Sequence, residues 1–141
     1  MNITPIPTSL PAEPLPLPMR VTKLECGFPS PAEDYSEQDL DLNEHLVTSP
    51  AATYFARANG DSLTGEGIYD GDLLIINRAA KRRNGCVVVV SLDGQLACKI
   101  LDTNNRCFRS SNPDYPPIPV PEDMDVVIEG VVTHAVHYLE P

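Results

Sequence analysis

Apolar residues along this chain fall in short runs separated by turn residues, and the pattern changes character at residue 51. Beyond that point the runs read as strands. Thr53-Tyr54-Phe55-Ala56-Arg57-Ala58 is stopped by Asn59-Gly60-Asp61. Leu73-Leu74-Ile75-Ile76 follows the turn Tyr69-Asp70-Gly71-Asp72. Cys86 to Leu92 and Gln95 to Leu101 flank Asp93-Gly94. Asp-Gly between two apolar runs predicts a type I′ hairpin, because both residues of such a turn need positive φ. Cys107 to Ser110 reads as a further short strand, and Val126 to Val136 as a long one in which Gly130 is a candidate bulge. Short strands at close, turn-punctuated spacing predict a mostly β fold with a curled core.

The first part of the chain has a different pattern. Pro5, Pro7, Pro11, Pro14, Pro16, Pro18, Pro29 and Pro31 crowd its start, in a chain with 15 prolines in all. That spacing forbids a helix and removes donors that a sheet would need. Residues 1–31 therefore read as an extended, partly polyproline-like arm, and residues 32–141 as the folded domain. Ile6, Leu10, Leu15, Leu17, Met19 and Val21 give the arm apolar surface with which to dock. An acidic stretch follows, in which Tyr35 to Asp39 and Asn43 to Val47 read as short helical turns before Pro50.

Composition narrows the function. A length of 141 residues and a mass of 15.4 kDa suit one domain. Ten Lys and Arg stand against 20 Asp and Glu, a formal net charge of −10. Direct DNA or anionic-lipid binding needs the opposite sign. No apolar run reaches about 18 residues, the length of a membrane span, and the N-terminus lacks the basic and apolar regions of a secretory signal. A soluble, cytoplasmic protein is expected. Cys26, Cys86, Cys98 and Cys107 form no CxxC pair, so neither a zinc site nor a disulfide framework is expected, and no cofactor is implied.

Two residues stand out chemically. Lys99 interrupts the apolar run Leu96-Ala97-Cys98-Lys99-Ile100-Leu101. Alternation puts Ala97, Lys99 and Leu101 on one face and Leu96, Cys98 and Ile100 on the other, and both faces look buried. Such a lysine either snorkels to an edge or is desolvated, and desolvation favours the neutral amine that serves as a general base. Ser62 directly follows a strand and precedes a glycine-rich loop, where a hydroxyl can be presented to a carbonyl, although turn serines commonly have no such role. Together the two describe a Ser–Lys pair. His45, His134 and His137 read as ordinary histidines, and Asp70 and Asp72 as turn formers.

Read together, these positions resemble the LexA/UmuD family of self-cleaving Ser–Lys peptidases. Cys26-Gly27-Phe28-Pro29-Ser30-Pro31-Ala32 with Asp34-Tyr35 is similar to the family's cleavage segment. Gly60-Asp61-Ser62 with Asp70-Gly71-Asp72-Leu73-Leu74 is similar to its nucleophile region, and Asp93-Gly94 followed by Lys99 to its lysine strand. Asn112, Tyr115, Pro117-Ile118 and Glu129-Gly130-Val131-Val132 with His134 resemble its last strands.

The resemblance implies a LexA-like peptidase domain behind an extended N-terminal arm. It implies that Ser62 attacks its own chain between Cys26 and Gly27, with Lys99 as general base. Cleavage would be stimulated by RecA filaments on single-stranded DNA in the SOS response. The cleaved form would be a homodimeric accessory subunit of an error-prone, Y-family translesion DNA polymerase. Leu63 stands where the family usually has Met, a volume-conserving exchange, and residues 1–20 do not follow the family's usual start. LexA-type repressors carry a helical DNA-binding domain before the cut. The proline-rich residues before Cys26, with only Arg20 and Lys23 as cations, cannot form one. The alternative is a catalytically silent β interaction module that binds a partner through its acidic face.

Overall fold

The computed structural model describes residues 1–6, 13–20, 37–120 and 126–140. It is mostly β. In chain order the elements are β1 (Asn2–Ile6), β2 (Leu17–Arg20), β3 (Glu37–Leu40), α1 (Leu42–Leu46), β4 (Thr53–Asn59), β5 (Leu73–Asn77), β6 (Val87–Leu92), β7 (Gln95–Asp102), β8 (Cys107–Arg109), β9 (Ile118–Pro119) and β10 (Val126–Val136). An eight-stranded sheet runs β1-β4-β5-β10-β6-β7-β8-β9, and β1 also pairs with β7, so the sheet curls into a barrel-like core. The chain divides into two compact units, residues 1–9 with 49–141, and residues 10–48.

The larger unit owes its stability to strands that are apolar on both faces. Val89, Cys98, Ile100, Leu74, Ile76, Ala56 and Ala58 pack in one buried cluster with Leu96 against it. Val88, Val90, Phe108 and Val131 form a second, with Ala97 and Leu101 against it. Successive valines of β6 thus alternate between two cores. This explains why β6 and β7 read as unbroken apolar runs, and it bears out the two faces expected for residues 96–101.

The hairpin forms as its sequence demands. Leu92 pairs with Gln95 across Asp93 and Gly94, which take φ of +49° and +82°. Gly130 is a bulge: the β10–β6 register shifts between Ile128 and Gly130. Its φ is +150°, and a Cβ there would stand 2.7 Å from the Ile76 methyl, so only glycine lets β10 approach β5 this closely.

Two local expectations change. The helical turn expected over Tyr35 to Asp39 is replaced by β3, which pairs antiparallel with β2 from Leu17↔Leu40 to Arg20↔Glu37. So short a stretch holds too little local free energy to fix a helix, and cross-strand partners were available to it instead. Tyr35 and Ser36 lie outside the described residues. The helical turn expected at Asn43 to Val47 is present as α1, capped by the Asp41 carboxylate, which accepts from Asn43 N–H at 3.0 Å. The second change is in the arm. Asn2–Ile6 is a strand of the main sheet, paired with β4 from Asn2↔Asn59 to Ile6↔Phe55.

Candidate active site

Ser62 is delivered by β4. The strand ends at Asn59, and Gly60 turns the chain at φ +104° while its N–H donates to Asp70 Oδ1 at 2.8 Å. Asp70 thus does the turn work expected of it. Leu63, with no exposed surface, anchors the loop in the first core cluster. The Ser62 carbonyl accepts from Ser111 N–H at 3.0 Å and Asn112 N–H at 3.3 Å. Asp61 accepts from Tyr115 O–H at 2.9 Å through its carboxylate. Gly65 N–H donates to Ser111 Oγ at 2.9 Å, an approach that leaves no room for a Cβ, which would meet Ser111 Cβ at 2.7 Å. The loop that carries Ser62 is therefore strapped along residues 111–115. Ser62 itself is 1% exposed. Its Oγ is the one buried side-chain polar atom among the described residues without a hydrogen-bond partner. Buried hydroxyls are nearly always satisfied, so this one is held out of bonding by the fold.

Lys99 comes from β7, opposite Val88 of β6, on the side shared with Ala97 and Leu101. It is 7% exposed, so nearly all of the residue lies inside the domain. Its Nζ donates to Ser110 Oγ at 3.4 Å and lies 6.0 Å from the centre of the Tyr115 ring. β8 pairs with β7 through Ile100↔Arg109, which sets Ser110 beside Lys99. Adjacent residues thus hold the two predicted residues: Ser110 accepts from the Lys99 amine, and Ser111 donates to the Ser62 backbone carbonyl. Their elements are far apart in sequence and are joined here by one short segment.

Ionisation around the pair follows from burial and charge. Burial pushes the Cys98 thiol up to about 12, so it stays protonated and inert beside Lys99. Its hydrogen bond to the Asp61 carboxylate raises the Tyr115 phenol, which stays a donor. A hydroxyl nucleophile with a buried amine as base is competent for acyl transfer.

The other predicted site residues, Cys26 and Gly27, lie outside the described residues. Sequence reasoning did not find Ser110 or Ser111, because hydroxyls before a proline-rich turn carry no signal of their own. Tyr115 carries a signal only through the family resemblance. Nor did it find the pairing of buried Asp72 with His137, 2.6 Å from Oδ1 to Nδ1. Among the described residues no group of three His, Cys, Asp or Glu side chains is placed to hold a metal, and no helix is long and apolar enough to cross a membrane.

Comparison with known proteins decides the family. The Peptidase S24-like model matches residues 18–133. The chain belongs to that family. S24 peptidases are generally self-cleaving serine peptidases, which agrees with the LexA/UmuD resemblance of the motifs. Protein ImpA of Escherichia coli is 40% identical over 120 residues, covering 85% of this chain and 83% of that protein. Protein MucA of Escherichia coli is 37% identical over 121 residues, 84% of this chain and 83% of its own. The LexA repressor of Xylella fastidiosa is 37% identical over 100 residues, 70% of this chain and 47% of the repressor. The S24 match begins before β3 and ends within β10, so it takes in both Ser62 and Lys99.

Proposed function

We propose that this S24 chain is an autocatalytic serine peptidase that cuts itself between Cys26 and Gly27. The observation that carries the reading is the buried, unpartnered Ser62 Oγ in a loop bound to the same segment that holds Lys99. Ser62 Oγ attacks the Cys26 carbonyl carbon while the neutral Lys99 amine takes the hydroxyl proton. The Lys99 ammonium returns that proton to the Gly27 nitrogen as the C–N bond breaks, leaving an ester between Ser62 and Cys26. Water then attacks the ester and gives its proton through Lys99 to Ser62, releasing the Cys26 carboxylate. Because substrate and nucleophile share a chain, holding the segment in place can supply much of the barrier reduction.

Similarity to a LexA repressor and the family's character support a place in the SOS response. In that reading RecA filaments on single-stranded DNA stimulate the cut. The fragment 27–141 then serves as the homodimeric accessory subunit of a Y-family translesion polymerase, in the cytoplasm and without a cofactor. The net charge of −10 favours recruitment to DNA through proteins over direct contact.

The test is intact mass of the purified chain after incubation with and without RecA, nucleotide and single-stranded DNA. Wild type yields fragment 27–141. Ser62→Ala and Lys99→Ala each lower the rate by about ten-thousand-fold, the scale on which loss of one member of such a unit acts. The unassisted rate rises with pH, because only the unprotonated amine accepts the serine proton. Fragment 27–141 from either variant at the wild-type rate rejects the dyad. Its absence in all conditions favours the silent interaction module.

A further inference from the structure

Among the described residues the barrel-like sheet closes through β1, which pairs with both β4 and β7. Asn2 is the hinge of that closure: it pairs with Asn59 of β4 and with Ala97 of β7. Asn59 is the last residue of the strand that delivers Ser62, and Ala97 precedes Lys99 on the same side of β7. The Met1 carbonyl accepts from Cys98 N–H at 2.6 Å, so the contact is a backbone hydrogen bond of the kind any extended peptide makes. The side chains alternate. Met1 and Ile3, 7% and 8% exposed, sink into the cluster of Leu63, Ala58 and Cys98, while Asn2 and Thr4 face outward.

Direction matters as much as position. β1 is antiparallel to β4, so its first residue lies at the Ser62 end and the chain runs away from the dyad. The residues that follow a scissile bond have that polarity: the first sits at the nucleophile and the rest lead away. We propose that the gap between β4 and β7 is a strand-binding subsite of the peptidase cleft, which takes an extended peptide with apolar first and third residues, and that Met1–Ile6 is its resident occupant and competes with the peptide that follows the cut. This rests on Ser62 and Lys99 being the dyad. The competition is unequal in favour of β1. After Cys26 the first and third residues are Gly27 and Pro29, which bring less apolar surface to those positions than Met1 and Ile3. Pro29 also lacks the N–H with which a strand extends its ladder. The occupant thereby keeps unassisted cleavage slow, and whatever stimulates cleavage has to displace it.

The experiment uses the full chain and two readouts, appearance of fragment 27–141 at alkaline pH and hydrogen exchange of the Cys98 amide. Ile3→Asp expels the strand, and Ile3→Ser replaces it if the aspartate variant loses its far-ultraviolet circular dichroism. The variant is expected to exchange the Cys98 amide faster and to cleave about tenfold faster, equivalent to about 1.4 kcal/mol of lost docking. Added synthetic Met1–Ile6 hexapeptide is expected to restore both the protection and the slow rate. A freed Cys98 amide with an unchanged or lower cleavage rate overturns the competition. Failure of the hexapeptide to protect Cys98 overturns the subsite. No fragment from wild type or variant, with the amide freed, overturns the dyad itself and the competition with it, while fragment from both at equal rates leaves the dyad standing and rejects the competition.

Discussion

β1 and β2 come from the same proline-rich arm, and they end differently. In β1, Met1 and Ile3 are 7% and 8% exposed and belong to the core of the larger unit. In β2, Leu17 and Met19 are 51% and 45% exposed, although they too alternate along an extended strand and pair with a neighbour, β3. Composition does not separate them. What differs is the partner: β1 meets two strands of a curled sheet and an apolar cluster between them, whereas β3 offers β2 a backbone ladder with acidic side chains. A two-stranded ladder without burial contributes little stability. The lesson is that extended, apolar-spaced segments are interchangeable until a groove selects one, which is also the basis of the competition inferred at the cleft.

The largest test of that contrast is a matched pair of substitutions. Ile3→Ala is expected to cost about 2–4 kcal/mol, the range for large-to-small changes in a core, whereas Leu17→Ala stays within about 0.5 kcal/mol. Urea denaturation measures both, and equal costs would erase the difference drawn between the strands. Next, Gly65→Ala forces a Cβ to 2.7 Å from Ser111 Cβ and is expected to cost about 1–3 kcal/mol. It should also slow self-cleavage, because Ser111 holds the Ser62 carbonyl. A stable, fully active variant would show that the strap does not position Ser62. Tyr115→Phe removes the hydrogen bond to Asp61 and is expected to cost about 1 kcal/mol or somewhat more by thermal melting.

The smallest effect is confined to acid. Asp102 accepts from Asn105 N–H at 3.0 Å, from Asn105 Nδ2 at 2.9 Å and from Arg109 Nε at 3.1 Å. The bonds from Asn105, with Arg109 adding less, hold its carboxyl below the ordinary value of 3.8. A carboxyl lowered by folding contributes stability above its unfolded value, and that contribution is lost as pH falls through the folded one. Asp102→Asn is therefore expected to lower the melting temperature slightly at neutral pH and to flatten its fall below about pH 4, near the unperturbed carboxylate range. Parallel pH profiles for the two proteins would refute this.

Much of the larger unit was legible in the residues alone. Asp93-Gly94 dictates its hairpin because few other pairs tolerate two positive φ values. Residues 96–101 of β7 could be assigned to a doubly covered strand because an apolar run without polar alternation leaves neither face for solvent. Lys99 could be singled out because a lysine inside an apolar run is locally odd, whereas Ser62, an ordinary turn serine by itself, became a candidate only through the order of motifs that resembles the LexA/UmuD family. The segment around Tyr35 to Asp39 failed because so short a stretch holds too little local free energy to choose between turn and strand.

By itself the sequence determined the central strands of the larger unit, their turns and the proline-rich character of the arm, which rest on local sterics and period, and it offered Ser62 and Lys99 as a candidate pair through the order of their motifs. Tertiary structure alone decided that Ser110 and Ser111 hold the two members of that pair, that Ser62 Oγ is buried without a partner, and that Met1–Ile6 rather than Leu17–Arg20 enters the main sheet. Those outcomes depend on contacts between residues tens of positions apart, and no local preference encodes which edge of a curled sheet is left open to be filled.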